Sequence, residues 1–431
     1  MTTTRLAALG RDDPPLHALA ERLLTVAEAG LPAMYLKGGD AGGGVGAAAG
    51  GGDSAGNSAT AGDGATAGRD GSAGSGDPAG SGDTFVFTRA ARTAPDGTVT
   101  LENRGTSTRY AAITALGARF LPTERQRAVL GGHTAEDFTG VLVQRLPEVT
   151  NLGDAALIAW AAAENRHPKL SDALDRVAAL DAAPGPRYTV EAAWVLSALA
   201  AARDTADVEQ PLAAATDRLL RARTGDSPLF PHATGPGLVP WYRAHVSCFA
   251  DQTYPLQALA RAHASGPGDA RALAAADACA TRICALQGAG GQWWWHYDAR
   301  TGGVVEGYPV YSVHQHAMAP TALFDLADAG GTDFGESIRL GLRWMAEPTE
   351  LAAADAVEPV ILDDLGVTWR KVYRGDPKKA VRAARGLATR AVPRLRLAPL
   401  DRVYRPAAID RECRPYEFGW MLFAWLAEVA R

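Results

Sequence analysis

Four carboxylates, Asp154, Glu191, Asp251 and Glu417, share one setting. Each opens a stretch rich in Ala and Leu: LGDAALIAWAAA, YTVEAAWVLSALAAA, FADQTYPLQALARA and YEFGWMLFAWLAEVA. A carboxyl group where a helix begins can serve as acid, base or nucleophile, and two of them together commonly cleave glycosidic bonds. His314, in YSVHQHAMAPTALFDL, stands at an equivalent point and adds an acid/base or hydrogen-bonding group. His314 and His316 form an HxH, but two residues apart on a helix they point to different faces, so joint metal ligation is not expected. No other ligand set has zinc spacing, so neither a metal nor another cofactor is implied.

The run Trp293-Trp294-Trp295-His296-Tyr297-Asp298 cannot turn every ring into one core. Trp294, Trp295 and Tyr297, with Tyr311 and Trp420, are therefore candidates to line a substrate mouth. Ring faces stabilise a cation by roughly 0.5 to 2 kcal/mol each and also stack on sugars, so they suit a carbocation and a saccharide alike. Arg411, Glu412 and Arg414 in RECRPYEFGW form either a structural ion-pair cluster or a clamp for a phosphate or carboxylate. A prenyl diphosphate would call on Arg374, Arg411 and Arg414. Asp363 and Asp364 in ILDDLG read as a solvated turn or helix cap.

Positioning these groups falls to a repeat. Six segments run from a few polar or aromatic residues into an Ala/Leu-rich helix, beginning at Arg109, Leu152, Tyr188, Phe249, Tyr311 and Tyr416. Between them lie helices with one charged face, beginning at Thr134, Lys169, Pro211, Ala270 and Phe334. Helices apolar all round belong inside and those apolar on one face outside, so strict alternation predicts two concentric rings, an all-α (α/α)6 toroid. If the inner helices run in one direction, Arg109, Tyr110, Asp154, Glu191, Asp251, Gln252, His314, Gln315, His316, Tyr416 and Glu417 gather at one mouth, where helix N-termini favour anionic groups. The long connections Thr224–Ser247, Gln287–Pro309 and Glu347–Pro415 would cover it.

Three segments are expected: a helix within residues 1–36 packing on the toroid, a Gly/Ala/Ser-rich insertion at 37–83 too poor in apolar residues to order itself, and the toroid at 84–431, which begins with a possible β-hairpin between Thr84 and Leu101. A formal net charge of −5 argues against a nucleic-acid partner. No apolar run suits a membrane span or signal peptide, which points to the cytoplasm. Cys248, Cys279, Cys284 and Cys413 lack paired spacing and read as reduced thiols.

One block carries a resemblance. Gln287, Gly291 and Trp293 satisfy the QxxxGxW motif of terpenoid cyclases, and the order DQTYPLQALARA, outer helix, LQGAGGQWWWHYD, YSVHQHAMAPTAL is similar to the catalytic domain of the class II enzymes. Asp251-Gln252-Thr253 stands where that family's acidic motif ends in Asp-Asp-Thr, so the resemblance gives Asp251 the place of the proton donor, with Phe249 and Gln252 replacing the flanking aspartates. It gives Gln287, Gly291 and Trp293 a structural role. Tyr311 to Gln315 also resembles part of the protein prenyltransferase β-subunit, but the zinc-binding Asp-x-Cys pair of that family is replaced by Tyr308-Pro309-Val310.

The resemblance implies an enzyme that protonates an isoprenoid at Asp251 within walls of Trp294, Trp295, Tyr311 and Trp420. The polar content of the mouth supports an alternative, a carbohydrate-active (α/α)6 enzyme (glycoside hydrolase, lyase or epimerase) using Asp154, Glu191, Asp251 and Glu417 with His314. A third reading is a toroid that binds a small molecule without catalysis.

Overall fold

The structure, a computed structural model, describes residues 3–38, 82–96, 98–223, 225–352, 358–374, 378–395 and 397–429. Residues 39–81, the bulk of the expected insertion, lie outside the described residues.

The chain opens with α1 (Arg5–Asp12) and α2 (Pro14–Met34), followed by the short strand β1 (Tyr35–Leu36). The hairpin β2 (Thr84–Thr93) and β3 (Val99–Thr106) comes next, longer than expected at its far end. Then follow α3 (Thr108–Ala118), α4 (Thr123–Val129), α5 (Ala135–Gln144), α6 (Leu152–Glu164), α7 (Leu170–Asp181), α8 (Thr189–Ala202) and α9 (Glu209–Ala222). Strand β4 (Val246–Cys248) precedes α10 (Ala250–Ala264) and α11 (Ala270–Ala285). Strands β5 (His296–Asp298), β6 (Gly303–Glu306) and β7 (Val310–Tyr311) lead into a π-helical turn, His314–Met318, continued by α12 (Ala319–Asp328). After α13 (Gly335–Ala346) and α14 (Thr349–Ala352) come β8 (Ile361–Leu362), β9 (Val367–Thr368), β10 (Lys371–Arg374), α15 (Lys378–Ala391), α16 (Ala398–Val403), β11 (Pro406–Asp410), β12 (Glu412–Cys413) and the last helix, α17 (Pro415–Leu426).

The helices form a closed (α/α)6 toroid. Inner helices pack in the cyclic order α3, α6, α8, α10, α12 with its π turn, α17 and back to α3. The outer helices α5, α7, α9, α11 and α13 alternate with them in sequence. The sixth outer helix is α2, which packs on α17 and reaches α13. The N-terminal helix is therefore a member of the ring rather than an appendage to it.

Composition explains the two layers. Along α8, every residue from Thr189 to Ala200 is buried, as a helix surrounded by other helices requires. In α7 only Leu170, Ala173 and Val177 are buried, spaced as one helical stripe, while Asp172 and Asp175 face water. Small residues decide how the ring closes. A Cβ on Gly117 of α3 would lie 2.0 Å from the Gly419 carbonyl oxygen of α17, and one on Gly419 would lie 2.7 Å from the Ile113 carbonyl oxygen. The first and last inner helices meet through a backbone contact that only glycine permits.

Among the described residues no helix is long and apolar enough to cross a membrane. The four cysteines are free thiols.

Candidate functional site at the N-terminal end of the ring

The inner helices point one way, as side-chain contacts between their first turns show. Arg109 of α3 donates from Nε to Asp154 Oδ1 of α6 at 2.7 Å, and from Nη2 to the side chain of Asn151, which caps α6, at 3.0 Å. Asn151 in turn donates to Glu191 Oε1 of α8 at 3.2 Å. Phe249, ahead of α10, lies 4.5 Å from the His314 ring, and Tyr110 of α3 stacks on Tyr416 of α17 at 4.6 Å. Asp154, Glu191, Asp251 and Glu417 thus sit in the first turns of four inner helices, where the partial positive charge of the N-termini favours acceptors.

Glu417 is the most perturbed of them. It is wholly buried, neither carboxylate oxygen has a hydrogen-bond partner, and burial pushes its pKa up to about 8 although Arg370 and Arg414 pull it down. Arg370 Nε is 4.0 Å from Glu417 Oε1, and the same guanidinium faces Asp410 at 3.4 Å, Glu412 at 3.5 Å and the Tyr311 ring at 5.2 Å. Arg414 donates to Tyr110 Oη and to Glu412, both at 3.0 Å, and lies 4.2 Å over the Phe87 ring. Glu417 is therefore a carboxyl group that keeps its proton near neutral pH, with two guanidiniums able to stabilise the anion once the proton leaves.

Asp251 is held differently. Its Oδ2 meets His232 Nδ1 at 2.8 Å and accepts from the Cys248 backbone N–H at 2.7 Å, while Oδ1 is buried with no partner. Burial and the neighbouring Asp251 hold the Cys248 thiol well above the usual range. Burial also raises the Glu191 carboxyl, against the pull of Arg109 and the Asn151 hydrogen bond. His314 is pushed down to about 3 by burial, which leaves it a neutral imidazole packed between Phe249 and Tyr311. His316 is likewise buried and neutral, with no partner on either ring nitrogen.

An aromatic plug forms the floor. Trp420 Nε1 donates to Tyr254 Oη at 3.0 Å across the bore, with Trp160 and Trp194 beside them and the Arg109 guanidinium 5.1 Å over Trp194. The roof is made of the long connections. The sheets β4-β5-β6 and β11-β10-β7 and the pairing of β12 with β2 lie over the mouth, and α15 packs on β6 with Arg382 4.3 Å over Trp295. The side chains of Arg109, Asp154 and His232 retain 12, 17 and 13% exposure, so solvent reaches the site beside α3, α6 and the loop carrying His232.

Several expected binding residues lie elsewhere. Trp294 donates its indole N–H to the Leu286 carbonyl at 2.7 Å and packs on Tyr308, away from the bore. Tyr297 is wholly buried behind Phe249 on the side of Cys279 and Cys284. Trp420 belongs to the plug rather than to a wall. Arg374 is locked to Glu306 and Asp401 together with Arg385, and Arg411 pairs at the surface with Glu358 at 2.8 Å, so neither joins Arg414 in a phosphate clamp. Trp294 and Arg411 come from irregular segments and Tyr297 and Arg374 from short strands of the connections, where periodicity gives little direction. Asp363 pairs with Arg22 on the surface at 2.5 Å, as a solvated turn would.

Gln287, Gly291 and Trp293 tie the turn after α11 to α13. Gln287 donates to the carbonyls of Gly291 at 3.1 Å and Ser337 of α13 at 3.0 Å, Trp293 is wholly buried, and Gly291 has φ of 93° with its Cα pressed on Leu340.

His232, Arg370 and Asn151 complete the site without having been singled out in the sequence, and Cys248, read there only as a reduced thiol, joins them. His232 and Arg370 sit in the connections expected to cover the mouth, which was the one available signal. A cavity of about 630 Å³ on the outer wall, between α7, α8 and α9, is remote from all these groups.

No family model matches the chain, and no curated protein matches it. Among solved structures it is similar to an unsaturated glucuronyl hydrolase specific for heparin, at 13% identity over 79% of this chain and 91% of that one, with a TM-score of 0.44. It is also similar to a structure of UGL with dGlcA-Glc-Rha-Glc, at 14% identity over 78% and 90%, with a TM-score of 0.43. A likeness at these values carries no weight for the activity.

Proposed function

We propose that the N-terminal end of the ring is the active site of a carbohydrate-active enzyme, a glycoside hydrolase or lyase, with Glu417 as the proton donor. The observation that carries this reading is the buried, unpartnered Glu417 carboxyl, protonated near neutral pH beside Arg370 and Arg414. A leaving sugar oxygen needs such a proton, and the two guanidiniums offset the charge that the transfer leaves behind. Asp251, with Oδ1 unpartnered, is the second buried carboxyl group of the mouth.

The surroundings support a hydroxylated substrate over an isoprenoid. A terpenoid cavity needs one acid in apolar walls. Here Arg109, Asn151, Asp154, Glu191 and His232 offer donors and acceptors, and the rings of Tyr311 and Trp295 are covered by Arg370, Lys371, His296 and Arg382 rather than left as apolar walls. Incubation with a panel of oligosaccharides and a panel of prenyl diphosphates, followed by mass spectrometry, tests the reading. Cleavage of a saccharide is expected. Cyclised isoprenoid with untouched saccharides would return Asp251 to the role that the terpenoid cyclases suggest.

A further inference from the structure

Three donor atoms of different chemistry meet beside α10. The ligand atoms of His232, Cys248 and Asp251 all lie within 4.8 Å of one another. Three separate segments bring them there: the loop after α9, the end of β4 and the first turn of α10.

Each segment is tied in place. The His232 carbonyl accepts from the Thr189 N–H of α8 at 3.0 Å, and Thr189 Oγ1 donates to the Pro231 carbonyl at 2.5 Å. Cys248 pairs with His296 across β4 and β5. Gln252, the residue after Asp251, brackets the group: its Oε1 accepts from the Phe230 N–H at 2.9 Å, and its Nε2 donates to the Phe230 carbonyl at 3.0 Å and to Ser247 Oγ at 2.9 Å. Donors fixed by hydrogen bonds one residue away are what a preorganised ligand set requires.

A second observation points to a cation. Asp251 is wholly buried, yet its Oδ1 has no hydrogen-bond partner. An unmatched carboxyl oxygen inside a protein is costly unless a donor or a cation meets it.

We propose that His232, Cys248 and Asp251 form a zinc site with three protein ligands and one open coordination position. One nitrogen, one sulfur and one oxygen suit Zn²⁺, whose bonds of about 2.0 to 2.3 Å set neighbouring donors roughly 3.5 Å apart in a tetrahedron. The present donor atoms lie between the 2.8 Å of the His232–Asp251 contact and 4.8 Å, a range that brackets that value. Three ligands with a vacant fourth position is the pattern of catalytic rather than structural zinc. A water there would be acidified to a pKa of about 7, near Tyr188, whose ring is 5.3 Å from His232. Use of that water against a saccharide rests on the reading in the preceding subsection; binding of the metal does not.

The test reads the metal itself. Protein freed of metal with a chelator is titrated with Zn²⁺ by calorimetry and with Co²⁺ by absorption spectroscopy. One equivalent per chain, a thiolate-to-cobalt charge-transfer band and a raised melting temperature are expected. The Cys248→Ser variant should lose the band, whereas Cys284→Ser should keep it. His232→Gln and Asp251→Asn should each weaken Zn²⁺ binding by at least about 100-fold, the upper end of what removing a supporting outer residue costs. Should Cys248→Ser fail to fold by circular dichroism, His232→Gln, altered in a loop side chain, carries the test. The absence of a charge-transfer band in the wild-type protein, or Zn²⁺ binding unchanged in His232→Gln, overturns the proposal whatever substrate the enzyme takes.

Discussion

Arg370 Nε stands 4.0 Å from Glu417 Oε1, close enough for attraction but too far for a hydrogen bond. The guanidinium therefore favours the carboxylate by its charge alone, without a hydrogen bond to hold it. Burial prevails, and Glu417 titrates at about 8 rather than in the usual carboxylate range.

That shift has a signed consequence for stability. Unfolded, Glu417 loses its proton at about pH 4.3, whereas folded it keeps it until about 8, so folding takes up a proton between these values. The contribution is fully present below about pH 4.3 and is lost as pH rises through 8. Glu417→Gln cannot ionise, so its melting temperature should gain on the wild type progressively from about pH 5 to pH 8. Parallel melting curves across that range would show that the site does not raise the carboxyl.

The ring seam should be intolerant of a methyl group. Gly419→Ala places a Cβ 2.7 Å from the Ile113 carbonyl oxygen of α3, and backbone must shift to admit it. A loss of about 1 to 3 kcal/mol in denaturant unfolding is expected, typical of overpacking. A loss below about 0.5 kcal/mol would mean that the two helices close less tightly than described.

The opposite end of the bore is closed by charge. Arg5 Nη2 meets Asp325 Oδ1 at 2.5 Å, and Asp325 also accepts from Gln257 at 2.9 Å and faces Arg261 at 3.6 Å. Arg5→Ala should cost about 3 kcal/mol, the lower end for breaking a buried pair, because Arg261 remains. Burial alone would raise the Asp325 carboxyl, but Arg5 and Arg261 bring it below its ordinary value. Its contribution is therefore present above the unfolded value of about 3.9 and lost as pH falls through the lower folded value. The stability gap between the wild type and Arg5→Ala should close below about pH 4; a gap independent of pH would assign the effect to packing.

Leu36 pairs with Thr84, and the Gly38 N–H donates to Asp83 Oδ1 at 2.6 Å, so the chain re-enters the fold beside the point where it left. Replacing residues 39–81 with about five residues should preserve activity and stabilise by up to about 2 kcal/mol, roughly three halvings of a loop. A lower melting temperature would show that this segment packs on the body.

Much of the ring was legible because packing leaves a period in the sequence. The stretches opened by Asp154, Glu191, Asp251 and Glu417 are buried on all sides, and a run such as EAAWVLSALAAA records that directly. The role of α2 was not legible, since residues 39–81 separate it from the body and its partner α17 lies at the far end of the chain. The carboxyls were found from helix starts, but the groups that tune them were not. Arg370 and His232 arrive from irregular connections, where no period says which way a side chain points. The same lack of direction led Trp294, Arg374 and Arg411 to be expected at the mouth, although each is bound to a partner elsewhere.

The central claim is that Glu417 donates a proton to a departing sugar oxygen, and the pH dependence of turnover for wild type and Glu417→Gln on a cleaved oligosaccharide tests it most directly. Wild-type kcat/KM should fall as pH rises through about 8, where Glu417 ionises. Glu417→Gln should lower kcat by about 10²- to 10⁴-fold with an unchanged fold, and its profile should lose that alkaline limb. A variant that turns over within a few fold of the wild type, with the limb intact, would contradict the account and move the acid to another group.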